Sequence, residues 1–397
     1  MKILMLCELY IENLEYQENL LVKYYQKHGH EVTVITSTYD NVFDYYNDIH
    51  DNSKPQRILY DHGAKIIKLP FKFNYLGKIK KYISITKIVE EVKPDLLYIH
   101  DIMPNMFEML DYKKRNPHVK MIMDYHCDYS NSANSWLSLN VLHKLLRKYI
   151  YMNPIRKHIS KFYPIVPGSV KFLKEVYGIP LSEMEVLPLG ADTDMVGELK
   201  NQEVGKQIRE KLGIAEKDIV IFTGGKLTPA KKTDLLLKAF NEINDERLHL
   251  IMVGDADQYN QEYKKELLSL SDNNPNIHYI GWLNNKGVYE HLSASDIAVF
   301  PASQSIIWQQ AIASGLPLIA GDTGEQSVQY LNEFGAIIEL SSENITKENI
   351  KKSIEQILYV ENELSLRKEL ASKTAAKYLD WNHLINKTLS HVKTTSS

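Results

Sequence analysis

The sequence predicts two Rossmann-like, doubly wound α/β domains facing across a cleft. Short apolar strand patterns alternate with helical ones from the first residues to about Glu339, as they do in parallel sheets covered on both faces. At 397 residues the chain is long enough to bury two separate cores. Between two alternating sets lies Tyr177-Gly-Ile-Pro-Leu-Ser-Glu-Met-Glu-Val-Leu-Pro-Leu-Gly-Ala-Asp192, whose Gly and Pro punctuation reads as a linker. The expected domains are 1–175, completed by a C-terminal helix at 379–397, and 176–378.

In chain order, Ile3 to Cys7 reads as a first buried strand, followed by a helix over Gln17 to Lys27 and a strand over Glu31 to Thr36. Further strands are expected at Lys65–Leu69, Leu96–His100, Lys120–Tyr125 and Phe162–Val166. The polar, Tyr-containing segment from Asp40 to Arg57 reads as a long loop. The second set comprises Asp218–Thr223, Leu248–Val253, Ile277–Ile280, Asp296–Phe300, Leu316–Ala320 and Ala336–Glu339, with a helical pattern from Asn344 to Val392.

Bulk composition removes several function classes. A net charge of -3 does not fit a nucleic-acid binder. Two cysteines, Cys7 and Cys127, sit in apolar surroundings outside any metal-ligand spacing, which fits a reducing compartment without a disulfide framework. The apolar run at the N-terminus is short for a signal peptide, and no run of about 18 apolar residues occurs. A cytoplasmic protein is expected.

The chemistry concentrates in Phe222-Thr-Gly-Gly-Lys-Leu-Thr-Pro-Ala-Lys-Lys-Thr-Asp234, where a strand runs through a Gly-Gly turn and a basic loop into a helix. Ligands of parallel sheets bind at the carboxyl ends of strands. Gly224 and Gly225 let backbone come close to a ligand there, and Lys226 and Lys231 can flank a diphosphate. Solvated lysines in a polar loop fit the same pattern. Ser305 reads as an N-cap for a helix ending at Ser314 before Gly315, so that the N–H groups around Ser305 and Ile306 would meet an anion. A separate stretch, Tyr129 to Lys174, has no acidic residue and interleaves Lys144, Arg147 and Lys148 with Trp136, Leu145 and Tyr149. Either a buried helix with a solvated basic rim or a helix lying on an anionic membrane surface fits it.

Taken in order, these motifs resemble the retaining glycosyltransferases of family four, which have the GT-B fold. Gly225-Lys-Leu-Thr-Pro-Ala-Lys231-Lys-Thr-Asp234 is similar to their G-R-L-x-x-x-K-G-x-D, with Lys226 for arginine and Lys232 for glycine. Leu187-Pro-Leu-Gly-Ala-Asp192 resembles I-P-N-G-V-D, and Gly29-His-Glu-Val-Thr-Val-Ile35 matches G-H-E-V-T-V-I. Leu250-Ile-Met-Val-Gly-Asp255, Ile280-Gly281-Trp282 and Ser295-Asp-Ile-Ala-Val-Phe-Pro301 follow in family order.

The chain departs from the family at its E-x7-E signature. Gln310 stands for the second glutamate, which in the family holds the ribose hydroxyls; the first is absent, with Gln304 its nearest substitute. Glutamine keeps one acceptor but loses charge-assisted strength. In place of the family's Gly-Gly after the first strand stands Leu14-Glu-Tyr16-Gln17-Glu-Asn19, so an altered acceptor geometry is expected.

The resemblance implies transfer of a sugar from a nucleotide-diphosphate sugar to a carbohydrate or lipid-linked acceptor, with retention and without a metal or other cofactor. It implies His126 beside the donor sugar, Lys226 and Lys231 on the diphosphate, and Gly224, Gly225, Gly281, Trp282, Gln304, Ser305, Ile306 and Gln310 around the donor. Tyr16, Gln17, His100 and Asp101 fall on the acceptor side. The family's lipid-linked acceptors tip the basic stretch toward the membrane surface, which would make the protein peripheral on its inner face. Two rivals stay open: a catalytically silent accessory subunit that binds sugar or a partner transferase, and a nucleotide-sugar epimerase.

Overall fold

The computed structural model describes residues 1–12, 14, 16–41, 44–45, 48, 55–302, 305–323 and 327–390. The chain forms two compact units, Met1–Pro188 with Trp381–Ser397 and Leu189–Asp380. The division falls later than the expected 175/176 because the linker as far as Pro188 adds to the first unit. Glu185 N–H donates to the Phe162 carbonyl at 3.0 Å and Leu187 N–H to that of Pro164 at 3.0 Å.

The first unit is built on β1 (Lys2–Leu6), β2 (Glu31–Ser37), β3 (Arg57–Asp61), β4 (Ala64–Leu69), β7 (Leu96–His100), β8 (Lys120–Tyr125) and β9 (Lys161–Pro164), with a separate antiparallel hairpin of β5 (Phe71–Tyr75) and β6 (Ile79–Tyr82). The sheet order is β3-β4-β2-β1-β7-β8-β9, and every neighbouring pair is parallel except β3–β4. Strands read as continuous apolar runs because both faces are covered. The two-residue period sends Leu4, Leu6, Ile35, Leu97 and Ile99 into one core and Ile3, Met5, Val34, Leu96 and Tyr98 into the other. The helices Gln17–Lys27 and Trp381–Ser390 close the second face. Trp381, Leu384, Ile385 and Leu389 are buried in that core, and Tyr25 Oη meets Thr388 Oγ1 at 2.5 Å.

Two features of this unit were not in the strand pattern read from sequence, the edge strand β3 and the β5–β6 hairpin; the helix expected in the basic stretch runs over Ser138–Met152, with wide π-type turns. The expected loop 40–57 ends where β3 begins, and most of it lies outside the described residues.

The second unit contains β10 (Ile219–Gly224), β11 (Leu248–Val253), β12 (Ile277–Gly281), β13 (Ile297–Phe300), β14 (Leu318–Gly321) and β15 (Ile337–Leu340). Its order is β12-β11-β10-β13-β14-β15, all parallel. The chain starts in the middle of this sheet, builds outward one way, then returns to build the other way. That reversal opens a topological switch point between β10 and β13. In the first unit the same reversal lies between β1 and β7. Among the described residues no helix is long and apolar enough to cross a membrane.

Candidate functional site

At the switch point of the second unit, β10 ends in Gly224, and Gly225 follows in a left-handed conformation with φ +118°. The loop is pinned to the end of β11: Gly225 N–H donates to the Val253 carbonyl at 3.0 Å and Leu227 N–H to that of Asp255 at 2.9 Å. Gly254 has φ +135°, and a Cβ there would come 1.9 Å from the Gly225 carbonyl oxygen, so no larger residue fits. Gly254 N–H in turn donates to the Gly281 carbonyl at 2.8 Å. Three neighbouring strands thus end in a shelf of bare backbone. A Cβ on Gly225 would stand 3.9 Å from both Ser305 Oγ and Ile307 Cδ1, so the loops after β10 and β13 meet. The structure therefore brings Gly224, Gly225, Gly281, Ser305 and Ile306 to one edge of the sheet. Trp282 follows Gly281 and is 61% exposed.

The two lysines of this loop differ. Lys226 is exposed, its Nζ 3.2 Å from Asp257 Oδ2. Lys231 closes the short turn Pro229–Lys231 and is half-buried, and that burial pushes its ammonium down to about 8. Lys232 adopts φ +52°, a left-handed conformation, at the place where the related motif has glycine. The helix Thr233–Phe240 then carries in its first turn Asp234, whose carboxylate accepts from Tyr263 Oη at 3.0 Å and Lys238 Nζ at 2.8 Å.

The helix after β13 is shorter than expected, Ile307–Ala313, and its cap residue is Ile306 rather than Ser305. Ser305 still serves it, since Oγ accepts the Ile307 N–H at 3.3 Å, but that donor is thereby withdrawn from any anion. Gln310 is buried; its Nε2 donates to Asn285 Oδ1 at 2.5 Å, while Oε1 is buried without a hydrogen-bond partner among the described residues. The side chain is thus turned to the start of the helix Asn285–Ser293. Gln304 lies outside the described residues.

At the switch point of the first unit, His100 ends β7 and the loop after β1 leads into the helix at Gln17. His100 Nδ1 lies 2.9 Å from Asp124 Oδ2, and its Nε2 lies 3.4 Å from Glu18 Oε1. Burial would lower the imidazole pKa, but Asp124 and Glu18 outweigh it and push it up to about 10. Burial would raise Asp124, yet His100 and His126 hold it well below the usual carboxylate range. The His126 ring lies 4.2 Å from the His100 ring, tilted by 51° to it, with Nε2 3.6 Å from Asp124 Oδ2. Asp101, at φ +58°, accepts the His126 N–H at 2.9 Å and so fixes its backbone. Tyr16 N–H donates to Asn19 Oδ1 at 3.2 Å, and Gln17 is buried with both amide atoms lacking a hydrogen-bond partner among the described residues.

Donor atoms of His100, Asp124 and His126 converge within 4.8 Å, close enough to hold a metal ion. His100 faces a carboxylate at each nitrogen, so its imidazolium lies between the Asp124 and Glu18 carboxylates. Glu18 and Asp124 escaped the sequence reading. The signal for Asp124 was present, as an acid inside the apolar run Met121-Ile-Met-Asp-Tyr125. Two buried lysines also escaped it: Lys68 reaches Glu12 at 3.1 Å and Lys80 reaches Glu8 at 2.6 Å, tying down the loop after β1.

Comparison with known proteins follows this division. Residues 19–195 match the family model described as Glycosyltransferase Family 4, and residues 205–376 match that of Glycosyl transferases group 1. The chain belongs to glycosyltransferase family four. This family-four chain is 24% identical over 296 residues to an uncharacterized glycosyltransferase of Methanocaldococcus jannaschii, covering 69% of the chain and 66% of that protein, just under two thirds of its length. It is 22% identical over 300 residues to the lipopolysaccharide 1,2-N-acetylglucosaminetransferase of Salmonella typhimurium, covering 70% and 68%. The HepE protein of Anabaena, solved in complex with UDP and glucose, superposes with a TM-score of 0.64 at 18% identity over 98% of this chain and 99% of its own. The family-four chain thus has the GT-B fold.

Proposed function

We propose that the protein transfers a sugar from a nucleotide-diphosphate sugar to a carbohydrate or lipid-linked acceptor, with retention of configuration. The observation that carries this reading is the switch point of the second unit, where a bare-backbone shelf, an exposed indole and two lysines lie on adjacent loops. A diphosphate against Gly225 would meet Lys231, and the half-buried ammonium, held down by desolvation, would regain its charge preference beside the anion. Charge stabilisation of the leaving diphosphate by Lys226 and Lys231 makes the reaction independent of a metal in this proposal. In this reading His126 contacts the donor sugar, and the His100–Asp124–Glu18 cluster supplies the acceptor side, with Tyr16, Gln17 and Asp101 shaping the loops around it.

The relative named for lipopolysaccharide synthesis supports a lipid-linked acceptor, and with it a site of action at an anionic membrane surface. The accessory-subunit reading draws on one observation: Gln310 is turned to Asn285 and offers no carboxylate to a ribose. Release of free nucleotide from a panel of nucleotide sugars, with and without acceptor, separates the readings. Acceptor-dependent release supports transfer, no release with any donor supports the accessory role, and conversion of the donor sugar without release supports an epimerase.

A further inference from the structure

Within the first unit, Arg147 Nη2 ties the helix Ser138–Met152 to the hairpin β5–β6 by donating to the Lys78 carbonyl at 3.0 Å, at the hairpin turn. Arg147 therefore faces the hairpin, where the amphipathic pattern had grouped it with Lys144 and Lys148. Its neighbour one turn back, His143, is fully buried between Ser132 Oγ at 3.0 Å and Tyr177 Oη at 2.7 Å, which fixes the helix's inner face. The wide turns then bring Val141, Leu145 and Ile150, spaced four and five residues apart, to the outside, with Leu145 55% exposed and Lys144 beside it. Trp136, just before the helix, is 72% exposed.

The hairpin repeats this chemistry. Tyr75 and Leu76 sit at its turn, Leu76 79% exposed and in a left-handed conformation at φ +52° that holds it out from the strands. Lys72 and Lys78 are exposed around them. From His62 to Val89 there is no acidic residue, and none from Tyr129 to Lys174. The Asp48 carboxylate packs against the hairpin turn but is paired there, accepting from Asn74 Nδ2 and lying 3.0 Å from Lys80 Nζ. Large apolar side chains left in water among cations, on two segments that themselves carry no acidic residue, complement a surface that is apolar within and anionic at its boundary.

We propose that the β5–β6 hairpin tip and the outer face of the helix Ser138–Met152 form one docking surface for an anionic lipid bilayer, with Tyr75 and Leu76 entering as a second foot beside the helix. The proposal rests on the lipid-linked acceptor reading and names the surface that would present such an acceptor. A protein partner would need acidic side chains set against two separate cationic elements, whereas a bilayer meets both with one continuous sheet of charge.

The test is co-sedimentation of the full chain with vesicles of phosphatidylcholine alone and of equal parts phosphatidylcholine and phosphatidylglycerol. Binding is expected only to the anionic vesicles and should weaken with salt. Tyr75→Ser with Leu76→Ser, and separately Leu145→Ser with Tyr149→Ser, should each lower affinity about tenfold. All four positions are exposed, so melting temperature should hold. A hairpin pair that binds like the wild type would overturn the second foot, and equal binding to neutral vesicles would overturn the anionic selectivity. Absence of vesicle binding together with self-association abolished by the same substitutions would assign the surface to a second copy instead. Nucleotide release with a short soluble acceptor, measured on the same variants, should be unchanged. Intact release without vesicle binding refutes the docking surface alone; vesicle binding without any release refutes the transferase reading and leaves the surface standing.

Discussion

Lys231 offers a prediction whose size follows from its surroundings. Burial pushes its ammonium down to about 8, so about nine-tenths of the free protein carries the charge at pH 7 and about one-tenth at pH 9. If only the charged form stabilises the departing diphosphate, kcat/KM should fall about tenfold between those two values. Removing the group altogether forfeits a preorganised charge at a developing anion, which costs about 3 kcal/mol, or roughly a hundredfold in rate. Lys231→Ala should therefore lower transfer about a hundredfold and erase the alkaline limb, with melting unchanged. Lys231→Arg keeps its charge to higher pH and should move that limb upward while retaining part of the activity. Initial rates of nucleotide release across pH 6 to 10 in a constant-ionic-strength buffer provide the assay. An alkaline limb that stays in place in Lys231→Arg, or a Lys231→Ala rate within about twofold of wild type, would refute the reasoning.

Lys232, with φ +52°, sits in a backbone region costly for a side chain, so Lys232→Gly should raise stability by about 1 kcal/mol and leave transfer intact; an unchanged or lower urea midpoint would contradict this. Ending the chain after Asp380 removes four large buried side chains from one core, each worth about 2 to 5 kcal/mol, so the first unit should lose its cooperative transition in calorimetry while the second keeps its own. His249 stacks on His278 and meets Asp218 at 3.2 Å, and burial lowers both imidazoles. Stability from these neutral rings is present above the unfolded pKa of about 6.5 and is lost as pH falls from there through the folded values. The melting temperature should accordingly drop on acidification to pH 5, and less so in His249→Gln.

Sequence reading reached furthest where one physical rule acts alone. Buried parallel strands must be apolar on both faces, so Leu96–His100, Lys120–Tyr125 and Leu248–Val253 were bounded to the residue. That Gly224 and Gly281 end strands and that Lys226 and Lys231 lie in the loop after β10 was legible from the strand pattern. The reading failed where partners come from distant segments. Asp124 gains its meaning from His100 and Glu18, more than twenty residues away on other elements. The hairpin has an alternating pattern in Phe71-Lys-Phe-Asn-Tyr75, but Lys80 faces inward to Glu8, which breaks the apolar-in, polar-out rule on β6. Arg147 turns to the hairpin although it stands in the same basic run as Lys144 and Lys148, because a helix with wide turns does not keep the 3.6-residue spacing.

The last-described helix, Trp381–Ser390, sits in the core begun by Lys2–Leu6, and this fixes an order of events on the ribosome. The second unit is one continuous segment, Leu189–Asp380, and can fold as soon as it has emerged. The first unit emerges earlier but cannot finish, because the faces of Ile3, Met5 and Tyr25 that Trp381 and Leu384 cover stay open until those residues leave the tunnel. For the time needed to synthesise almost two hundred residues, the nascent N-terminal sheet would carry a wet apolar face, and a chaperone that shields such faces would have its substrate there.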